Sequence, residues 1–176
     1  MGDAAAAFSQ AGLVPNVIPA PPQHKLEVVY AKGLEPGENL HPLHVRSAPK
    51  IEYRQEVLDG DFFTLLMFDP DYPRREAPVD AAYIHWLIPN INHDSMRRGQ
   101  ATGARALVGY MPPTPIPNSG KHRLAILLFY HPKKKINQPT IKQRSKFSIK
   151  EFMQKHGFTA PVAGNFFVTE NDEQPP

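Results

Sequence analysis

The chain contains no cysteine, and this absence removes several classes of protein at once. A disulfide framework, a thiolate nucleophile and a zinc site with cysteine ligands all require that residue. A chain without disulfides is typical of a reducing compartment, so we expect a cytoplasmic protein.

The sequence also lacks a long apolar run and a secretory leader. No stretch approaches the roughly 20 apolar residues that a membrane-spanning helix needs. The first ten residues have no basic segment, an acid at Asp3 and an apolar run only from Ala4 to Phe8, which argues against a signal peptide. Ala6 stands where the myristoylation motif requires Ser or Thr. We therefore expect a soluble intracellular protein.

Proline, in contrast, is abundant, with 20 among 176 residues against a usual share of roughly 5%. Prolines favour turns, bends and strand edges and oppose long helices. They are spread along the whole chain, so they do not mark one disordered linker. The length is that of one domain, and a β-rich, loop-rich fold is predicted.

Three short apolar stretches, at residues 62–68, 82–91 and 123–131, predict central strands, and the first should be buried on both faces. Residues 147–157 predict a helix with an N-cap at Ser148, Glu151 three residues later and a stop at Gly157. Weaker patterns favour strands at 24–31 and 50–56, an edge strand at 40–45, a strand or loop at 103–110, and a short helix near the start.

The net charge of +3 is concentrated in residues 133–176, which hold 8 basic and 4 acidic residues. Such a run is usually a solvated loop. The functional alternative is attraction to a phosphorylated partner or to an anionic membrane, with Lys133, Lys134 and Lys135 as the contacts. No aromatic residue interrupts the basic residues between 133 and 146, so a nucleic-acid partner is not expected.

Four titratable residues fall at or near the ends of the predicted central strands: Asp69, Asp71, His85 and His122. Each has an ordinary structural interpretation, as a turn former or a histidine of the core. If they converge, three chemistries are open: a metal site, a hydrolase with Ser119 as nucleophile, or a polar pocket. No Gly-x-Ser-x-Gly elbow frames Ser119, and the usual metal-ligand spacings are absent, so the pocket ranks first.

Several motifs resemble one known family. "FDPDYP" at 68–73, "YMPP" at 110–113, "SGKHR" at 119–123 and "FTAPVAGNFF" at 158–167 are similar to the phosphatidylethanolamine-binding proteins, which include the Raf-kinase-inhibitor proteins of animals. The family's two hallmark motifs, Asp-Pro-Asp-x-Pro and Gly-x-His-Arg, are both intact. The similarity extends over residues 22–168, with a lead-in at 1–21 and an acidic, flexible tail at 169–176.

The resemblance implies a mainly β protein, an antiparallel β-sandwich with a large central sheet, a smaller sheet and a few peripheral helices. It implies a small pocket for phosphate or a phospholipid head group, without catalytic residues, metal or cofactor. The implied lining is Asp69, Asp71, His85, Tyr110, Pro112, Pro113 and His122. Arg123 is expected beneath the site, paired with Asp69. The implied role is a monomeric, non-enzymatic signalling adaptor; the alternative is an inhibitor of a protein kinase or serine protease that acts through surface loops.

Overall fold

Eight strands and three α-helices make up the computed structural model, which describes residues 3–101 and 104–172. The strands are β1 His24–Lys25, β2 Glu27–Val29, β3 Glu38–Asn39, β4 Lys50–Glu52, β5 Phe62–Asp69, β6 Tyr83–Asn92, β7 His122–His131 and β8 Ala163–Thr169. The helices are α1 Asp3–Gln10, α2 His93–Arg97 and α3 Ile149–His156, and a 3-10 helix spans Pro42–Val45.

The large sheet has the strand order β1-β8-β7-β5-β6, and β3 also pairs with β8. The four long strands, β5 to β8, pair with one another in antiparallel fashion, whereas β1 and β3 run parallel to β8. The sheet is therefore mixed at this edge, although the prediction was for antiparallel pairing. β2 and β4 form the small antiparallel sheet. The mainly β fold with one large and one small sheet is confirmed.

Both faces of the large sheet are covered, because successive side chains of a strand point to opposite faces. One core joins Phe63, Leu65 and Met67 of β5 to Val28 and Ile51 of the small sheet. The other core joins the alternating residues of β5, such as Leu66 and Phe68, to α1 and α3. The central strand is thus buried on both faces, as its continuous apolar run predicted.

Local capping signals explain the longest predicted helix. The Ser148 side chain accepts a hydrogen bond from the backbone N–H of Glu151, and Gly157 ends α3 with a left-handed φ of 72°. Ile149, Phe152 and Met153 form its buried stripe. No helix in residues 3–101 and 104–172 has the length and apolar character required to cross a bilayer.

Several weaker local predictions were wrong. Residues 40–45 contain the 3-10 helix instead of an edge strand, because Pro42 begins a tight turn for which the His41 side chain accepts the N–H of Leu43. Residues 24–31 divide between the two sheets, and the described part of 103–110 contributes only an isolated bridge from Val108 to Leu87. β3 and α2 were not predicted.

The two terminal segments are more structured than their composition suggested. The lead-in begins with α1, and Phe8, Leu13 and Ile18 are each no more than 1% exposed in the core under β8. At the other end, Thr169 is buried in β8. The last part of the predicted flexible tail, residues 173–176, lies outside the described residues.

Candidate functional site

The chain direction brings the predicted polar residues to one end of the large sheet. β5 ends at Asp69, and its antiparallel neighbours β6 and β7 begin at Tyr83 and His122. The end of one strand and the starts of two others therefore meet at the same edge, which we call the Asp69 end. The structure thus brings Asp69, Asp71, His85 and His122 to one edge, which is the condition on which the three chemistries depended.

Asp69 anchors a chain of buried hydrogen bonds. Its Oδ1 accepts the backbone N–H of Asp71 at 2.7 Å, and its Oδ2 lies 2.7 Å from Nδ1 of His122. Nε2 of His122 lies 2.8 Å from Oγ of Ser119. Because an ionised carboxylate only accepts, Nδ1 of His122 donates to Asp69 in either charge state of the ring. Both ring nitrogens are thus occupied within the protein.

Asp71 is held by Arg123, and this corrects the prediction that Arg123 pairs with Asp69. The backbone N–H and Nε of Arg123 donate to Asp71 Oδ2 at 2.8 and 2.9 Å, and Nη2 donates to Oδ1 at 2.7 Å. Nη1 donates to the carbonyl oxygen of Ala11 at 2.6 Å. The pair therefore ties the β5 turn and β7 to the chain after α1. Arg123 lies beneath the site, as expected, but with the other aspartate.

His85 has one ring nitrogen that remains available. Its Nδ1 lies 2.6 Å from the carbonyl oxygen of Met111, and a carbonyl can only accept, so Nδ1 carries the proton. Nε2 is then the remaining polar atom of a side chain that lines the cavity described below. Burial lowers the pKa of His85, more than the Met111 carbonyl and the Asp69 charge raise it. Near neutral pH the ring is therefore uncharged and Nε2 is an acceptor.

These residues border a cavity of about 130 Å³. Among the predicted site residues, the structure places Asp69, His85, Pro113 and His122 in its wall. The remaining wall is made of Tyr72, Pro73, Tyr83, Met111, Thr114, Pro115 and Ile116. This volume lies below the roughly 300–1,000 Å³ that is typical of drug-sized ligand sites.

Three predicted site residues lie outside this wall. Asp71 faces Arg123 and a separate cavity at the start of α3. The hydroxyl of Tyr110 donates to the carbonyl oxygen of Val45 at 2.6 Å and lies 2.9 Å from the hydroxyl of Tyr30. Pro112 is a neighbour of the wall residue Pro113 but is not part of the wall. Asp71 and Tyr110 are therefore held by internal partners and support the site from behind.

Sequence reasoning missed several wall residues, and for two of them a signal existed. Tyr83 lies two positions before His85, so strand alternation places both side chains on the same face. Their rings are 5.1 Å apart, and Tyr72, inside the first motif, lies 4.7 Å from Tyr83. Met111 and Ile116 lie in an irregular loop, where no periodicity could indicate their direction.

The alternative chemistries find less support. Among the described residues, no group of three or more His, Asp or Glu side chains is arranged to hold a metal ion. Ser119, His122 and Asp69 do have the hydrogen-bond order of a hydrolase triad. Ser119, however, is only 2% exposed and is not part of the cavity wall, so a substrate in the cavity would not meet its hydroxyl.

A large sheet covered on both faces, a smaller sheet and a small cavity at one sheet end define a mainly β domain. The chain belongs to the phosphatidylethanolamine-binding protein family, whose model matches residues 19–167. The resemblance inferred from the motifs is therefore confirmed.

Relatives and solved structures agree with this assignment. The chain is 34% identical over 156 residues to Protein SELF-PRUNING of Solanum lycopersicum, which covers 86% of this chain and 83% of that protein. It is 32% identical over 152 residues to Protein TERMINAL FLOWER 1 of Arabidopsis thaliana, in an alignment that covers 86% of this chain and 82% of that protein. A carboxypeptidase Y inhibitor, solved in complex with its proteinase, has a similar fold, with a TM-score of 0.79, 23% identity and coverage of 96% and 95%. A phosphatidylethanolamine-binding protein from Plasmodium vivax gives a TM-score of 0.77, 20% identity and coverage of 95% and 97%.

Proposed function

We propose that the cavity at the Asp69 end binds a phosphate-type anion, either inorganic phosphate or a phospholipid head group, in a non-enzymatic signalling adaptor. The observation that carries this proposal is Nε2 of His85, which has no hydrogen-bond partner among the described residues. Nδ1 of this ring is committed to Met111, and both nitrogens of His122 are committed to Asp69 and Ser119. A protonated His85 would present Nε2–H to an anion in the cavity.

Proton uptake should accompany this binding. Burial holds the pKa of His85 below its usual value, so the charged form is rare near neutral pH. An anion beside Nε2 favours the charged ring and supplies the counter-ion that burial otherwise denies it. Affinity should therefore rise as the pH falls toward the pKa of His85 and weaken as the pH rises.

The rim of the cavity favours a lipid as the source of the anion. Met111 and Ile116 line the cavity and are also 39% and 46% exposed, so apolar side chains surround a polar interior. Such a rim is suited to an amphiphile, whose head group enters the cavity while its chains remain outside. Free phosphate would gain nothing from these two side chains.

Calorimetric titration with sulfate tests the anion site, because the charge of sulfate is constant between about pH 5.5 and about pH 7.5. We expect tighter binding at the lower pH, and loss of this pH dependence in His85→Gln. The matched control is His156→Gln, a remote histidine on α3, which should bind sulfate as the wild type does. Equal binding by the wild type at both pH values, or a pH dependence in His85→Gln as large as that of the wild type, would contradict the proposal.

A vesicle assay distinguishes the two sources of the anion. Vesicles that contain phosphatidylethanolamine should bind the protein, and Met111→Ser/Ile116→Ser should reduce that binding without changing the affinity for sulfate. If vesicle binding is absent while sulfate binding persists, the ligand is a free anion.

The basic residues 133–135 are too far from the cavity to take part in the same contact with a membrane. They follow β7 at His131, whereas the cavity lies at His122, about 30 Å away along a ten-residue strand. A flat membrane that delivers a head group to the cavity would not reach them. Contact of Lys133, Lys134 and Lys135 with an anionic membrane therefore stays a separate prediction, as does the cytoplasmic location.

Inhibition of a kinase or protease is a second proposal. The exposed apolar side chains Leu43, Met111 and Ile116 lie on the loops around the Asp69 end and offer a surface for a protein partner. We expect Leu43→Ser/Ile116→Ser to weaken inhibition of a serine carboxypeptidase, while His85→Gln leaves it intact. A chain that does not inhibit any tested kinase or protease would remove this candidate.

A further inference from the structure

We propose that a second cavity, at the opposite end of β5, binds a small organic ammonium ion with Asp61 as its counter-ion. This cavity has a volume of about 370 Å³. Its wall includes Tyr53, Phe63 and Tyr130, together with the acidic residues Glu56 and Asp61. The size falls in the range of roughly 300–1,000 Å³ that is typical of small-molecule sites.

Asp61 is a buried carboxylate with one oxygen unused. The residue is 2% exposed, and its Oδ2 accepts from the backbone N–H of Leu58 at 3.1 Å and from the hydroxyl of Tyr130 at 2.9 Å. Its Oδ1 has no hydrogen-bond partner among the described residues. Both donors to Oδ2 are uncharged. A buried acceptor without a partner is rare in native proteins and calls for a ligand or a compensating group.

Aromatic rings form the wall beside this carboxylate. The rings of Tyr53 and Phe63 are 5.6 Å apart and tilted by 60°, and those of Phe63 and Tyr130 are 5.4 Å apart and tilted by 47°. Neighbouring aromatic faces attract cations within about 6 Å of the ring centre and are well suited to alkylated ammonium groups. A carboxylate behind such rings attracts the same cation through its charge.

The same features exclude other small ligands. A phosphate or sulfate would face two carboxylates here, Asp61 and Glu56, whereas the one carboxylate of the anion cavity, Asp69, is hydrogen-bonded to His122. A hard metal ion requires several oxygen ligands, and the described residues supply no cluster of three acidic or histidine side chains. An organic ammonium ion, such as choline or another alkylated amine, satisfies both the rings and the carboxylate.

This site is independent of the proposed anion cavity. Asp61 precedes β5 and Asp69 ends it, so about 27 Å of extended strand separate the two aspartates. A variant at one end should leave ligand binding at the other end unchanged, and failure of either proposal can be observed separately.

The test is an amide NMR titration with choline and with 3,3-dimethylbutan-1-ol, the uncharged molecule in which carbon replaces nitrogen. Choline should cause saturable shifts at residues 53, 61, 63 and 130. The uncharged analogue should bind at least about tenfold more weakly, because a charge-assisted contact contributes roughly 1.4 kcal/mol or more. His85→Gln, at the other end, should bind choline as the wild type does.

Two variants keep the test decisive. Asp61→Asn should weaken choline binding by about tenfold. If that variant does not fold, Tyr53→Leu, at a half-buried position, should weaken binding by about threefold. Equal affinity for choline and its uncharged analogue, absence of saturable shifts near Asp61, or unchanged choline binding in a folded Asp61→Asn protein would overturn the proposal.

Discussion

Buried aspartates lie at both ends of the central strand β5: Asp69 and Asp71 at the Asp69 end, and Asp61 at the opposite end, which we call the Asp61 end. The two ends differ in whether every carboxylate oxygen has a hydrogen-bond partner. At the Asp69 end, all four oxygens of Asp69 and Asp71 have partners, supplied by a backbone N–H, His122 and Arg123. At the Asp61 end, one of two carboxylate oxygens has no partner among the described residues. The first end is internally compensated, and the second is not.

This difference distinguishes carboxylates that hold the fold together from a carboxylate that we propose attracts a ligand. Every oxygen of Asp69 and Asp71 is bonded to a group of the protein, so these two side chains are held in place as fixed parts of the sheet end. In the cavity above them, the side chain of His85 has a ring nitrogen without a partner among the described residues. At the Asp61 end one buried carboxylate oxygen has no protein partner among the described residues, and we propose that its charge attracts a ligand. Substitutions of similar residues at the two ends should therefore have very different costs.

The largest effect is expected for Arg123→Ala. This change leaves the Asp71 carboxylate buried without its counter-ion, a loss that costs about 3–5 kcal/mol in comparable buried pairs. Urea denaturation followed by circular dichroism measures the change in the free energy of unfolding. If stability were unchanged while sulfate binding disappeared, Arg123 would be a ligand contact and the assignment of roles at this end would be reversed.

A smaller effect is expected for Asp69→Asn. The amide keeps one acceptor oxygen but removes the charge that faces Nδ1–H of His122, and a buried charged hydrogen bond contributes about 1.5–3 kcal/mol. The same denaturation experiment applies. Ser119→Ala is the matched control, because it removes only the neutral partner of the same ring and should cost about 1 kcal/mol. Equal losses in the two variants would mean that the Asp69 charge contributes nothing.

The Asp69 end could be predicted from the sequence because the residues that mark it are adjacent along the chain. The run at 62–68 is apolar at every position but Thr64, which indicated a strand buried on both faces, and the motif aspartates follow it directly. Chain direction then placed the start of β7, with His122, at the same edge. The choice between Asp69 and Asp71 as the partner of Arg123 was wrong, because side-chain direction after a turn is set by tertiary contacts that no local pattern contains.

The Asp61 end was not predicted as a site for a related reason. In sequence, Asp61 belongs to "DGD", which is an ordinary turn signal, and nothing adjacent marks it as buried. Its aromatic neighbours come from distant segments: Tyr53 follows β4 and Tyr130 belongs to β7. The cavity exists only because the fold brings these segments together. Period-two alternation could pair Phe63 with other β5 residues but not with Tyr53.

Acidification should destabilise the protein through one buried histidine at each end of β5, His85 at the Asp69 end and His131 at the Asp61 end. Burial lowers the pKa values of His85 and His131, so the unfolded chain, with a value of about 6.5, takes up protons first as the pH falls. Stability should be greatest above about pH 6.5 and decrease below it. His85→Gln and His131→Gln should each reduce the slope of the unfolding free energy against pH.

Sulfate distinguishes these two histidines. If the anion binds beside His85, sulfate should reduce the acid-induced loss of stability in the wild type and in His131→Gln, but not in His85→Gln. Denaturation midpoints at several pH values, with and without sulfate, provide the measurement. An equal sulfate effect in all three proteins would indicate general salt stabilisation and no site.

The smallest change in stability is expected for Asp61→Asn. Because Oδ1 of Asp61 has no partner among the described residues, replacing it with an NH₂ group breaks no hydrogen bond there, and the amide oxygen can still accept from Leu58 and Tyr130. The variant also removes a buried charge, so the free energy of unfolding should stay within about 1 kcal/mol of the wild type. The same Asp→Asn change would then be costly at position 69 and nearly neutral at 61. A loss at position 61 as large as that at 69 would mean that Asp61 has a structural counter-charge, and that both ends of the strand are compensated in the same way.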